Sequence, residues 1–483
     1  MKRVIQKKWF RILVRIVVIG LTLVVLAVAV FNWWAAGQMN EAIARARAAG
    51  LPLTLDEFTA GMPPDGQNSA RIGIVKTLED EFAVRSDGPV DPASAKGRFL
   101  AVADDDLRRA LNRKPRDRNE FTDFSLLPDD GAYGKTAGSF LAEFDRRHGD
   151  LLGELRAGFH LPHTRRRFVP DDFRGGVAWV DLSEAFGLSS RRFQDGMRLR
   201  AEAALITGDS AKAAESLEMM VRMGKTVASR RMTISTLIEF VALREMHRPI
   251  KLGIQGQRWT AGDLERISAA LSLFDLRESV RRGIESEILM VQAWEGLKEE
   301  RARFSPSQFS EYIGGNNAPA TEWILEKGRT WIPGGFFDRC ASGVVDRVIE
   351  SSAVAKEPGP LLRWWKEAEK IRQAYESKGT LGKLTHTYPT GAHLLKAGSH
   401  ALVCLQLELA ACEIERHRLE HGHYPESLDA LPNQTAIDPL HGSTFRYERS
   451  DGGFRLYSIG PDGVDDGGKE VKGSPIDRKD WVW

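Results

Sequence analysis

The strongest apolar signal is an unbroken run, Ile16 to Trp34 (IVVIGLTLVVLAVAVFNWW), nineteen positions without a charge. As a helix it spans roughly 28 Å, close to the hydrocarbon thickness of a bilayer. Lys2, Arg3, Lys7, Lys8, Arg11 and Arg15 precede it, and no acid occurs before Glu41. That imbalance places the N-terminus in the cytoplasm and everything after the helix outside it, with Trp33 and Trp34 at the interface. No second run of this kind follows, so a single span in the cytoplasmic (inner) membrane is expected, with the bulk of the chain periplasmic. The competing reading is a signal peptide cleaved after Ala27-Val28-Ala29. The apolar run continues through Val30 and Phe31, where a cleavage region turns polar.

Downstream the pattern becomes periodic and helical. QMNEAIARARAA (38–49) continues the first helix as far as Gly50-Leu51-Pro52, and GMPPDGQNS (61–69) is a turn-rich joint. Helices are expected around 98–113 and 139–159, followed by a break at 162–176 whose Arg165-Arg166-Arg167 run reads as a solvated patch. The region 191–300 is the most regular. There Ala213, Leu217, Met220 and Val221 recur at helical spacing behind Asp209, a capping residue. Ile234, Leu237, Ile238 and Val241 predict a third helix, and Thr260 with Asp263 caps a fourth whose Leu264, Ile267, Leu271 and Phe274 face inward. A further helix begins after Pro358 and Pro360 and carries Trp364 and Trp365 as packing residues. AEAALITGDSAKAAESLEMM also resembles one tetratricopeptide hairpin, although no second copy follows at the repeat offset.

From about Ser399 the pattern changes. A helix with Leu402, Leu405, Leu409 and Cys412 on one stripe ends at Gly422. Ser427–Leu431 reads as a short helical turn, and 443–448 and 454–459 read as strands joined through Asp451-Gly452. The ordered residues are Tyr424-Pro425, Asp438-Pro439 with Gly442, Tyr447, and Leu456-Tyr457-Ser458 followed by Gly460, Asp462 and Gly463. In that order and spacing the segment resembles the C-terminal module of the type II secretion major pseudopilins. The chain as a whole resembles a bacterial membrane-anchored type that joins such a tail to a helical middle.

These patterns give a mainly α fold with a small α+β module at its end. The expected divisions are a basic tail (1–15), a transmembrane signal-anchor (16–35), a helical exported region (36–395), a pseudopilin-like module (396–470) and a tail (471–483). Composition narrows the function classes. With 42% hydrophobic residues in 483, the chain can bury a large core, and 3 Cys exclude a disulfide framework or a multi-cysteine zinc array. Of 68 Lys and Arg, 6 lie in the tail, leaving 62 against 66 acids, a net of −4. A nucleic-acid partner is therefore not expected.

Three segments are candidates for chemistry. His417-Arg418-Leu419-Glu420-His421 matches H-x-x-E-H, which sets two imidazoles on one helix face beside a general base. A helix end explains the same letters. Asp462, Asp465 and Asp466 crowd a glycine-rich loop, and the pseudopilin resemblance implies calcium there, with carboxylates suiting a hard cation. A solvated acidic turn is the alternative. Cys340, Cys404 and Cys412 read as free thiols, since eight residues along one helix separate the last two by about 12 Å. The expectation is a non-enzymatic envelope interaction or scaffolding protein, held in the lipid bilayer and meeting a protein partner, in a secretion-like assembly. The alternative is an exported metal-dependent hydrolase built on His417, Glu420 and His421.

Overall fold

A computed structural model describes residues 2–61, 63–68, 70, 73–83, 90–103, 107, 120–127, 133–159, 161, 185–289, 291, 298, 333–378, 390–432, 435–450, 452–469 and 479–483. The expected Arg165–Arg167 patch, most of the far half of the 98–113 helix, the last turns before 300 and most of the 471–483 tail lie outside them. The described chain is mostly helical, with one small antiparallel sheet near its end.

Helix α1 (Lys2–Ala48) is continuous, running through Gly37 between the apolar run and the polar 38–48 segment, with no proline to interrupt it. It stops where Gly50 turns left-handed (φ 67°). There the Gly50 and Leu51 N–H groups close on the carbonyls of Arg47 and Ala46, satisfying the last turn. Among the described residues α1 is the one helix long and apolar enough to cross a membrane. Its apolar stretch is uncovered by protein, whereas Ala35, Met39, Ala42 and Ala46 are buried.

Short helices α2 (Leu55–Thr59), α3 (Gly73–Ala83) and α4 (Ala95–Leu100) lead to α5 (Ala137–Phe159). The body is then built from α6 (Ala185–Thr207), α7 (Ser210–Ala228), α8 (Thr233–Gln255), α9 (Ala261–Leu271) and α10 (Leu276–Ser286). Gly208 (φ 85°) makes the turn between α6 and α7, and the Asp209 side chain accepts the Lys212 N–H at 3.0 Å, as the cap pattern predicts. The two helices are antiparallel, with the Gln194 amide donating to the Met220 carbonyl at 3.1 Å. Thr260 and Asp263 form the expected capping box, and Leu264, Ile267, Leu271 and Phe274 are all buried. On α8 the expected stripe is incomplete. Ile238 is buried, but Ile234, Leu237 and Val241 are only half-buried, while Ser235, Thr236, Glu239, Ala242 and Met246 are buried. Helix α8 is enclosed by α6, α7 and α10, so more than one of its faces is interior.

Helices α11 (Gly334–Lys356) and α12 (Leu362–Glu376) follow, and then α13 (Thr390–His421), which begins nine residues before the expected Ser399. It ends at Gly422 (φ 80°) as read. Helix α13 packs on α8, α9, α10, α11 and α12, so Val403, Leu407, Ala410, Ala411, Cys412 and Ile414 are buried around most of its circumference.

Strands β1 (Arg446–Ser450) and β2 (Gly453–Ser458) pair antiparallel with Arg446 opposite Tyr457. A third strand, β3 (Trp481–Val482), pairs with β2 through Tyr457↔Val482. It falls in the expected tail because two residues carry no periodicity to read. Among the described residues, buried apolar side chains from Met39 to Trp483 form one continuous cluster.

Candidate functional site

The terminal acidic loop turns on four left-handed glycines, Gly460, Gly463, Gly467 and Gly468. At Gly468 a side chain would strike the Tyr457 ring, so the backbone there approaches the sheet as only glycine permits. The three acids read from the sequence play different parts. Asp462 accepts the Val464 N–H at 3.1 Å, a local turn contact. Asp465 accepts the Gly467 N–H at 3.0 Å, the Tyr457 hydroxyl at 2.9 Å and Arg446 Nε at 3.0 Å. The Gly467 amide and the Tyr457 hydroxyl together hold its carboxyl below the usual range. Among the described residues, the charged partner of Asp466 is Lys479, 3.6 Å away.

A fourth acid, Asp480, closes the loop. It is 2% exposed, and its Oδ2 accepts the N–H groups of Asp466 at 3.1 Å and Gly468 at 2.8 Å. Burial pushes its carboxyl up, and Asp466 and Asp465 push it further. Asp466 Oδ2 and Asp480 Oδ1 are buried and have no hydrogen-bond partner among the described residues. Orphaned carboxylate oxygens under mutual repulsion are what a hard cation relieves. Among the described residues, however, no group of three His, Cys, Asp or Glu side chains is gathered to hold an ion. Sequence reading missed Asp480 because it lies in the terminal segment and reaches the loop only through the pairing of β3 with β2.

The H-x-x-E-H letters lie at the exposed end of α13. The His417 and His421 rings stack with centroids 4.1 Å apart, as helical spacing requires. His417 Nδ1 lies 3.2 Å from the His423 carbonyl, and His421 Nδ1 lies 3.1 Å from the His417 carbonyl. Glu420 is exposed and forms no enclosed site with them. No disulfide joins the three cysteines. Burial pushes the Cys340 thiol up to about 12 and raises Cys412 likewise, the opposite of an activated nucleophile.

Helix α1 joins the body through a built contact. Asn32, the polar residue near the end of the apolar run, accepts the Gly335 N–H at 2.7 Å and so serves the first turn of α11. Farther along, Arg45 meets Asp346 at 2.6 Å. The two contacts advance together on both helices, so α11 runs parallel to α1 away from the apolar stretch. No protein-family model, no curated protein and no solved structure matches this chain.

Proposed function

We propose that the protein is a single-pass, membrane-anchored envelope interaction or scaffolding protein, its basic tail cytoplasmic and its helical body exported, working with a protein partner in a secretion-like assembly. The observation that carries this reading is α1. One continuous helix leaves its apolar stretch bare and then packs along α11, so any movement or position of the anchor is passed directly to the body. A scaffold needs that kind of rigid coupling. The pseudopilin-like features of the terminal module, including an ion at the Asp462, Asp465 and Asp466 loop, belong to the same reading.

Topology is the first test. A periplasm-dependent reporter fused after residue 60 is expected to be active, and the full-length protein to stay with membranes under alkaline extraction. Activity of a cytoplasm-dependent reporter at the same position would overturn the orientation. Release of a shortened soluble chain would support cleavage near Ala29. The hydrolase alternative is tested by metal analysis of the purified protein, since tightly held zinc lost in His417→Ala would favour it.

A further inference from the structure

His417 and His421 lie four positions apart on one face of α13, and their rings are inclined by 19° with centroids 4.1 Å apart. Gly422, left-handed at φ 80°, then folds the chain back, so that the His423 carbonyl meets His417 Nδ1 at 3.2 Å. His421 Nδ1 meets the His417 carbonyl at 3.1 Å. A carbonyl oxygen accepts and never donates, so each Nδ1 carries the ring proton. The neutral ring then keeps its lone pair at Nε2, and neither Nε2 has a hydrogen-bond partner among the described residues.

Metal-bound histidines are arranged in this way, one ring nitrogen fixed by a carbonyl and the other presented to the ion. Helical spacing of four puts two such nitrogens on one side. Two nitrogens bound to one ion at about 2.1 Å stand roughly 3.0–3.4 Å apart, so rings with centroids 4.1 Å apart need only a small turn to close on it. The neighbouring charges do not oppose a cation. Arg416 is paired with Glu413 at 2.7 Å and Arg418 with Glu415 at 2.6 Å. Glu420, exposed and next to His421 in the chain, has no ion pair among the described residues. The His423 ring stands farther off, its centroid 5.8 Å from that of His417 and 6.5 Å from that of His421, with its Nδ1 turned to the Tyr424 carbonyl at 3.0 Å.

We propose that His417 and His421 bind a divalent transition-metal ion of the zinc, nickel and copper class through their two Nε2 atoms, with water completing its coordination. Imidazole suits these ions, whereas calcium and magnesium take oxygen ligands, so the pair and the acidic loop select different cations. Among the described residues no third His, Cys, Asp or Glu side chain is gathered with the pair. His421 is exposed and His417 half-buried. The bound ion is therefore open and exchangeable, unlike the tightly held zinc of a hydrolase, and it needs no general base beside it. The two nitrogens share a side only while the last turn of α13 is helical, so the ion stabilises the turn that leads into the terminal module. The site stands apart from the membrane reading and from the hydrolase alternative alike.

The test uses the full-length protein in detergent, without an affinity tag and stripped by chelator, titrated calorimetrically with zinc in excess calcium. Wild type is expected to bind zinc reversibly. His417→Ala and His421→Ala should each weaken that binding roughly tenfold or more, since an outer-shell partner alone is worth that much. Glu420→Gln should keep it. His423→Ala should keep it too, because the carbonyl that orients His417 belongs to the backbone. The His417 and His421 variants, at the helix end, are expected to melt like wild type without metal, and zinc should raise the melting temperature of wild type more than theirs. Absence of zinc binding in wild type, or unchanged binding in both of these variants, would overturn the proposal. An equal loss in His423→Ala would overturn the two-ligand assignment, and loss in Glu420→Gln would return the segment to the hydrolase alternative.

Discussion

Trp483 donates its indole N–H at 2.9 Å to Glu408, a carboxylate 2% exposed and 75 positions earlier in the chain. The same carboxylate meets His247 Nδ1 at 2.5 Å, and Lys251 donates to the Trp483 carbonyl at 3.3 Å. The Trp483 ring stacks on Phe454 with centroids 5.1 Å apart. Helix α8, helix α13 and the sheet are therefore tied at one buried polar point. Trp483→Phe keeps an aromatic ring but removes the donor, leaving Glu408 one partner short. A loss of about 1–3 kcal/mol is expected, read by urea denaturation. Combining it with Glu408→Gln should show non-additivity, because both changes act on one contact.

Glu239 gives a pH signature. It lies buried on α8, and burial raises its carboxyl from 4.5 to about 8. Between those values the folded state holds a proton that the unfolded chain has released, so this stability is full below 4.5 and is lost as pH rises toward 8. The slope approaches about 1.4 kcal/mol per pH unit. Glu239→Gln should flatten that part of the profile and be more stable than wild type at the alkaline end. Denaturation midpoints across this range check it, and an unchanged slope in the variant refutes the assignment.

Gly335 sets the approach of α11 to α1. A Cβ there would lie 2.8 Å from Asn32 Cα and 3.0 Å from Ala35 Cβ. Gly335→Val is therefore expected to force the helices apart at a cost of about 1–3 kcal/mol. Faster proteolysis between α1 and the body is the accompanying readout.

Calcium is expected to act through the orphaned oxygens of Asp466 and Asp480. At about a hundred times its dissociation constant, an ion bound only to the folded loop adds roughly 2.7 kcal/mol. Asp480→Asn and Asp466→Asn should each reduce that gain in the full-length protein. Asp465→Ala should reduce it less, since its oxygens already serve Arg446, Tyr457 and Gly467. Identical melting in calcium and in chelator would leave the loop an ordinary acidic turn.

The local features were legible in the letters because short-range physics decides them. The nineteen-residue apolar run needs only its own length, and the Asp209 and Thr260 caps need only the next three residues. Gly50 and Gly422 end helices by a backbone conformation open to glycine, whatever surrounds them. The tertiary structure decided what depends on residues far apart. Periodicity sees one apolar face per helix, so α13 read as amphipathic until five neighbouring helices enclosed it. The same enclosure makes Glu239 interior although its letter predicts solvent. Trp481 and Val482 became a strand only when β2 offered its free edge, and that pairing carried Asp480 into the acidic loop. The cleft between α11 and α12 has no local signature either. Arg339 and Arg347 lie on one helix and Lys378 beyond the next, and only the packing of α11 on α12 brings their charges around one cavity.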